Sequence, residues 1–207
     1  MHPEGQLLTI KRNYSGEEVV TINVSLLTLP LDLENLRAQI GQCYHLRLRN
    51  CHLNAEQYHK LLSLFPDLQT LDLGLSNIGI EGAESLAEAL SEVPRLRRLY
   101  LGFSNIQSDG AVALARALPN LPELCWLDLS NNNLEVRGIS ALADALPSLP
   151  QLRGLNLWLN CLGNQGLSAL AEALPNLSQL QLLSLRSNNL GEQALEALAA
   201  ALPKLPH

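Results

Sequence analysis

Residues 121–148 read LPELCWLDLSNNNLEVRGISALADALPS, and the phrase LCWLDLSNNNL at 124–134 returns as LRGLNLWLNCL at 152–162. The leucines and one asparagine keep their places, while the chain's only two tryptophans move from third position to seventh. The frame LxxLxLxx(N/C/S)x(L/I) begins at Cys43, Leu68, Leu96, Leu124, Leu152 and Leu180, spacings of 25 and then four times 28 residues. Self-similarity of this period is the signature of a solenoid, in which each unit buries its apolar face against its neighbours.

Each unit changes period half-way. LCWLDL alternates like a short strand, with Leu127 and Leu129 facing inward and Trp126 and Asp128 facing out. GISALADALPSLP then places Ile139, Leu142, Ala143 and Leu146 at i, i+3, i+4 and i+7, one face of a helix. A proline follows each helix (Pro66, Pro94, Pro119, Pro147, Pro175, Pro203), where its missing N–H ends the helical ladder. The first unit is three residues short, and the loss predicts a clipped last helical turn. Asn132, Asn160 and Asn188, with Ser76, Ser104 and Cys51 in the other units, follow the strands. A buried amide there can satisfy N–H and C=O groups of its own and the adjacent turn, at about 1 kcal/mol per bond.

These residues resemble the ribonuclease-inhibitor-like leucine-rich repeats over about four-fifths of the chain. Parallel strands sit about 4.8 Å apart and packed helices about 8–10 Å apart, so such a stack bends with its strands inside. The expectation is an α/β fold: a right-handed horseshoe with six parallel strands on the concave face, helices on the convex face, and repeats spanning 43–207. Residues 1–42 stand outside the repeat as an N-terminal cap. LLTIKR and EEVVTINV flank the NYSG turn as a β-hairpin. Asp32 is placed to cap a helix with Leu33, Leu36 and Ile40 on one face and Gly41 at its end.

Composition excludes several function classes. Apolar residues make up 47% and charged residues 16%, enough for a sizeable core, and the formal net charge of −6 opposes binding to nucleic acid or to anionic membranes. The N-terminus MHPEGQLLTIKRNYSGEE lacks a basic stretch followed by a long apolar one, and no run of about 18 apolar residues occurs. Four cysteines without a CxxC pair point to a reducing compartment. The expected localisation is cytoplasmic, or a host cytosol reached by a signal-peptide-independent route.

No phosphate loop, nucleophile elbow or HExxH motif is present, so no enzyme chemistry and no cofactor is expected. Cys43, His45, Cys51 and His52 form the densest candidate metal cluster, with His59 beyond it. Zinc pairs want two to four intervening residues, which this spacing does not supply. Cys43 and Cys51 take core positions of the frame as small hydrophobes, and no metal is expected. His45 falls on the outward side of its strand.

Function in a solenoid resides where the repeat rule lets residues vary, which is the outward strand positions. The third-position column is His45, Thr70, Arg98, Trp126, Gly154, Leu182, and the fifth is Arg47, Asp72, Tyr100, Asp128, Asn156, Ser184. The seventh is Arg49, Gly74, Gly102, Ser130, Trp158, Arg186, and the eighth Asn50, Leu75, Phe103, Asn131, Leu159, Ser187. Both tryptophans, with Tyr100 and Phe103, gather in units three to five, and Gly74, Gly102 and Gly154 leave room for a groove between them. Exposed aromatics in contact are the usual anchors of protein interfaces, whereas lone aromatics lying flat merely shield a sheet. The candidate partner-binding set is Tyr100, Phe103, Trp126, Asp128, Asn156, Trp158, Arg98, Asp72, Arg47, Arg49 and Arg186. The helices carry Glu81, Glu84, Glu88, Glu92, Asp144, Glu172, Glu192 and Glu196, an acidic back behind a mildly basic face.

The sixth unit keeps Leu180, Leu183, Leu185, Leu190, Leu195, Leu198 and Leu202 as core positions with no polar cap after them. The expectation is that the final turn covers this end, with a weak end-to-end homodimer through its edge as a hypothesis. The resemblance implies a non-enzymatic module that binds a partner protein, and the GAxxLAxAL-type helices resemble those of bacterial effectors delivered into host cells. The alternative it implies is an enzyme regulator of the GTPase-activating kind, with Arg98 as the accelerating arginine.

Overall fold

The computed structural model describes residues 8–12, 18–23, 37–38, 41–49 and 53–201. Each repeat lays down one short strand, turns on its asparagine or serine, and returns through a helix. Strands β1 (Leu8–Arg12), β2 (Glu18–Asn23), β3 (His45–Arg49), β4 (Thr70–Asp72), β5 (Arg98–Tyr100), β6 (Trp126–Asp128), β7 (Gly154–Asn156) and β8 (Leu182–Ser184) form one sheet in chain order. The helices are α1 (Ala55–Ser63), α2 (Gly79–Ala89), α3 (Gln107–Ala117), α4 (Glu135–Ala145), α5 (Gly163–Ala173) and α6 (Glu192–Ala201).

The six expected parallel strands are β3 to β8, paired in register so that Leu46, Leu71, Leu99, Leu127, Leu155 and Leu183 form one inward row. The sheet continues beyond them. β1 and β2 pair antiparallel, and β2 joins β3 in parallel with Val20 opposite Leu46. Val20 is buried and extends the leucine row by one place, so the hairpin lengthens the core instead of only covering it. Asp32, Leu33, Leu36 and Ile40 lie outside the described residues, as do Cys51, His52 and the final turn. Gly41 has φ 67°, and its N–H donates to the Arg37 carbonyl at 2.8 Å, the left-handed closure a helix end takes at glycine.

Helix α1 has nine residues against the eleven of α2 to α5, as the shortened first unit requires. Each of α2 to α5 ends in a three-residue 3-10 turn, beginning at Leu90, Leu118, Leu146 and Leu174. Pro119, Pro147 and Pro175 sit inside these turns, where a missing N–H forfeits no α-helical bond. α1 carries its own capping box, Asn54 and Gln57 exchanging bonds of 2.9 Å. The next four helices have no side-chain cap. Instead the N–H groups of Gly79, Gln107, Glu135 and Gly163 donate to the carbonyls of Ser104, Asn132, Asn160 and Asn188 in the following unit, at 2.9–3.0 Å.

Small residues bring adjacent helices together. A Cβ added at Gly110 would stand 2.8 Å from the Ala83 methyl, and one at Gly138 would stand 2.9 Å from that of Ala111. Such contacts are closer than side chains permit, so the helical layer is drawn in towards the spacing of the strands. The last described unit has no neighbour on one side. Leu195, expected in the core, is 49% exposed, while its counterparts Ile139 and Leu167 are fully buried beneath the next unit.

The asparagine ladder forms as the spacing predicts. Asn132 Oδ1 accepts from the Ser104 and Ile106 N–H groups at 3.0 and 3.2 Å, and its Nδ2 donates to Leu101, Leu129 and Ser130 carbonyls at 2.8–3.1 Å. Asn160 and Asn188 repeat the arrangement one and two units on. Ser104 and Ser76 keep the bond back to the preceding unit, to the Leu73 and Leu48 carbonyls, and Ser104 adds one to the Gly102 carbonyl at 3.3 Å. Asn132→Ala is expected to lower the unfolding free energy by about 3 kcal/mol, since several buried groups lose their partner, and Asn132→Ser by about half that. Urea denaturation checks this; equal midpoints for the two variants would refute the ladder's role.

Candidate protein-binding face

The free face of the sheet divides into residues that the fold itself uses and residues that it leaves over. Position five belongs largely to the first group. Asp72 Oδ1 accepts from the Gly74 N–H at 3.0 Å, Asp128 Oδ1 from Ser130 at 2.9 Å, and Asn156 Oδ1 from Trp158 at 3.2 Å. These side chains turn back on the residue two ahead and close the strand end, the local bond that Asp and Asn favour at turns. Asp72 also takes the ion pair of Arg47. Read from sequence as partner contacts, Asp72, Asp128 and Asn156 are half-buried turn residues with at least one oxygen already committed.

The groove expected at the glycines is filled. A Cβ on Gly154 would lie 2.2 Å from Trp126 Cε3 and 2.3 Å from Cζ3, so the indole rests flat on the glycine backbone. Gly154 is therefore a seat for Trp126 and not an opening beside it. The Trp126 Nε1 is buried and has no hydrogen-bond partner. Gly102 is closed by the Ser130 hydroxyl, 2.7 Å from where its Cβ would be. His45 is likewise only 7% exposed, and its strand has β2 on one side and β4 on the other.

Tyr100 stands half-buried in the row Asp72–Tyr100–Asp128. Burial pushes its phenol above the usual range; Asp72 and Asp128 push the same way, and Arg98 opposes them. Cys43 is buried, and burial pushes its thiol up to about 11, partly offset by a backbone hydrogen bond at His45. It packs as an unreactive hydrophobe. Arg98 and Arg186 are exposed and have no ion pair among the described residues, whereas Arg95, Arg97 and Arg137 are paired with Asp67, Glu123 and Asp109. Arg49 closes β3.

Phe103 and Trp158 do meet. Their ring centroids are 5.7 Å apart with the planes tilted by 58°, within the range of favourable aromatic contacts and spanning the intervening fourth unit. Phe103 belongs to position eight, which the sequence does not distinguish from its neighbours and the structure does. Leu75, Phe103, Asn131, Leu159 and Ser187 all have left-handed backbone, φ 51–61°. Asparagine tolerates that conformation, while a larger side chain pays about 1 kcal/mol for it. Leu75 is nevertheless 68% exposed and Phe103 42% exposed. The N–H groups of Leu75, Phe103, Asn131 and Leu159 donate across units at 2.8–3.0 Å, so this row carries the parallel ladder past the strands as a ridge along the sheet's edge.

A family pattern described as Leucine Rich repeat matches residues 66–87, 95–115, 127–143 and 149–171, in step with the units seen here. The chain is a leucine-rich-repeat protein. No curated protein matches this repeat protein across its sequence. Among solved structures it is similar to one named Leiomodin-1 Actin-Binding Site 2 (ABS2), with 17% identity and a TM-score of 0.57, covering 74% of this chain and 92% of that one. The likeness is one of fold. Among the described residues of the repeat protein, no helix is long and apolar enough to cross a membrane, and no three His, Cys, Asp or Glu side chains gather as metal ligands.

Two substitutions test this division. Leu75→Asn is expected to raise stability by about 1 kcal/mol by relieving left-handed strain, read as a higher denaturation midpoint; a lower midpoint would contradict the strain. Gly154→Ala in a Trp158→Phe background is expected to expel the Trp126 indole, costing about 1–3 kcal/mol and shifting its emission to the red. An unshifted spectrum would show that the ring does not rest on the glycine.

Proposed function

We propose that this leucine-rich-repeat protein is a non-enzymatic module that holds a partner protein against the free face of its sheet, anchored on the Phe103–Trp158 pair. The observation that carries this reading is the contact of two large rings that the core does not require, one of them 42% exposed. Exposed paired aromatics beside unpaired arginines have the make-up of an interface hot spot. Of the outward residues that the repeat frame singles out, Phe103, Trp158, Tyr100, Arg98 and Arg186 are the contacts proposed, with Arg47, Arg49 and Asp72 at the margin; Trp126, Asp128 and Asn156 support the sheet beneath. The net charge of −6 favours a protein over nucleic acid or an anionic membrane as the partner. The leiomodin segment of similar fold is named for binding actin, which supports a protein as the class of ligand.

The cellular setting proposed is cytoplasmic, as an effector acting inside a host cell, supported by the short GAxxLAxAL-type helices and the unpaired cysteines. A weak end-to-end homodimer is proposed at the last unit, where Leu182 and Leu195 are about half exposed. A monomeric mass by light scattering at high concentration would remove it.

Pull-downs from host-cell extract with wild type, Phe103→Ala/Trp158→Ala and Trp126→Ala test the anchor. Each lost ring costs about 2 kcal/mol or more at a true hot spot, roughly thirtyfold in affinity, so the double variant is expected to lose its partner. If it melts normally and retains every protein that the wild type captures, the anchor is elsewhere.

A further inference from the structure

We infer that the ridge at position eight receives an acidic amphipathic helix of the partner, lying along the edge of the sheet across units two to five. This rests on the protein-binding reading and specifies its ligand. Asn131 and Ser187 show that the same turn is built from polar residues, so Leu75, Phe103 and Leu159 are not demanded by the fold. They hold exposed apolar side chains on left-handed backbone, an unfavourable choice in water and in conformation, and strain of this kind concentrates at binding sites.

Spacing decides the form of the ligand. The cross-unit N–H···O bonds at Leu75, Phe103, Asn131 and Leu159 set the ridge to the pitch of a parallel sheet, about 4.8 Å per unit. Four units then span about 14 Å, the rise of nine or ten helical residues, and side chains at i, i+3 or i+4, i+7 and i+10 fall about 5 Å apart along one face of a helix. An extended segment presents one face about every 6.7 Å, and slips about 2 Å out of step at each unit. Phe103 and Trp158, packed over the fourth unit where Asn131 replaces an apolar residue, keep the contact surface continuous there.

Charge decides the composition. Arg98 and Arg186 are exposed without an ion pair among the described residues, Arg98 opening β5 in the same unit as Phe103 and Arg186 one unit beyond Leu159. Asp72 and Asp128, the carboxylates of the same face, already accept backbone hydrogen bonds, and Asp72 is paired with Arg47. A helix with carboxylates flanking its apolar stripe would complete both guanidinium groups.

The test pans the full chain against two display libraries, one on a rigid helical scaffold and one of unstructured peptides. The expected result is enrichment of helices with an apolar stripe at that spacing and acidic flanks. Their affinity should fall about tenfold in Leu75→Asn/Phe103→Asn/Leu159→Asn and again in Arg98→Ala/Arg186→Ala. If the triple variant does not melt cooperatively, Leu75→Asn/Leu159→Asn, which leaves the ring pair intact, takes its place. Enrichment of unstructured or basic ligands whose binding still needs Phe103 and Trp158 overturns the helix while leaving the protein-binding reading in place. Ligands indifferent to ridge and rings alike, or no ligand from either library, overturn both.

Discussion

The stack hangs on the buried side chain at each turn, an amide in the last three units and serine in the two before them. A leucine-rich unit cannot close its strand without leaving N–H and C=O groups inside an apolar core, and stacked units put those groups 28 residues apart in sequence and next to one another in space. Asn132, Asn160 and Asn188 each accept from the preceding unit's turn and donate to the end of the preceding strand, so one side chain both closes its own turn and fixes its neighbour's register. Register in turn decides which side chains share the free face, and so what that face can bind. In the first half of the stack serine keeps only the donation, and the units there are held with fewer such bonds.

Two opposing demands then shape the surface. The sheet needs its outward residues small or turned inward where strands crowd, which accounts for Gly102 beneath Ser130 and Gly154 beneath Trp126. Binding needs large side chains held clear of the sheet. The molecule separates the two in space: Trp126, which opens β6, is pressed onto Gly154, while Phe103 and Trp158 stand on the turns beyond β5 and β7. Trp126 and Trp158 belong to neighbouring units, yet they serve these different ends.

Much of this could be read from the letters, because the repeat is a statement about burial. The strands, the helices, the clipped first helix, the asparagine row and the buried Cys43 all follow from which positions recur. The alternation rule also named the outward columns correctly, but it is blind to what an outward side chain does next. Asp128 is outward and is spent on the Ser130 N–H; Gly154 is outward and is occupied by its neighbour's ring; His45 is outward and yet buried. The left-handed backbone at Leu75, Phe103 and Leu159 was concealed for a related reason. Leucine and phenylalanine do not announce that conformation, and the hint was asparagine, at Asn50 and Asn131, standing in the same column.

The capping of the helices has a consequence for how such a protein can grow or shrink. Each of α2 to α5 borrows a carbonyl from the next unit for the first N–H of its own helix. The structural module is therefore offset from the sequence repeat: a helix belongs, at its beginning, to the turn that follows it in the stack. Duplication or excision of any whole number of periods rejoins like to like and preserves every such loan, wherever in the 28 residues the break falls. An insertion of another length at the turn breaks one at the seam, and the one 25-residue unit is accommodated where α1 carries its own capping box instead.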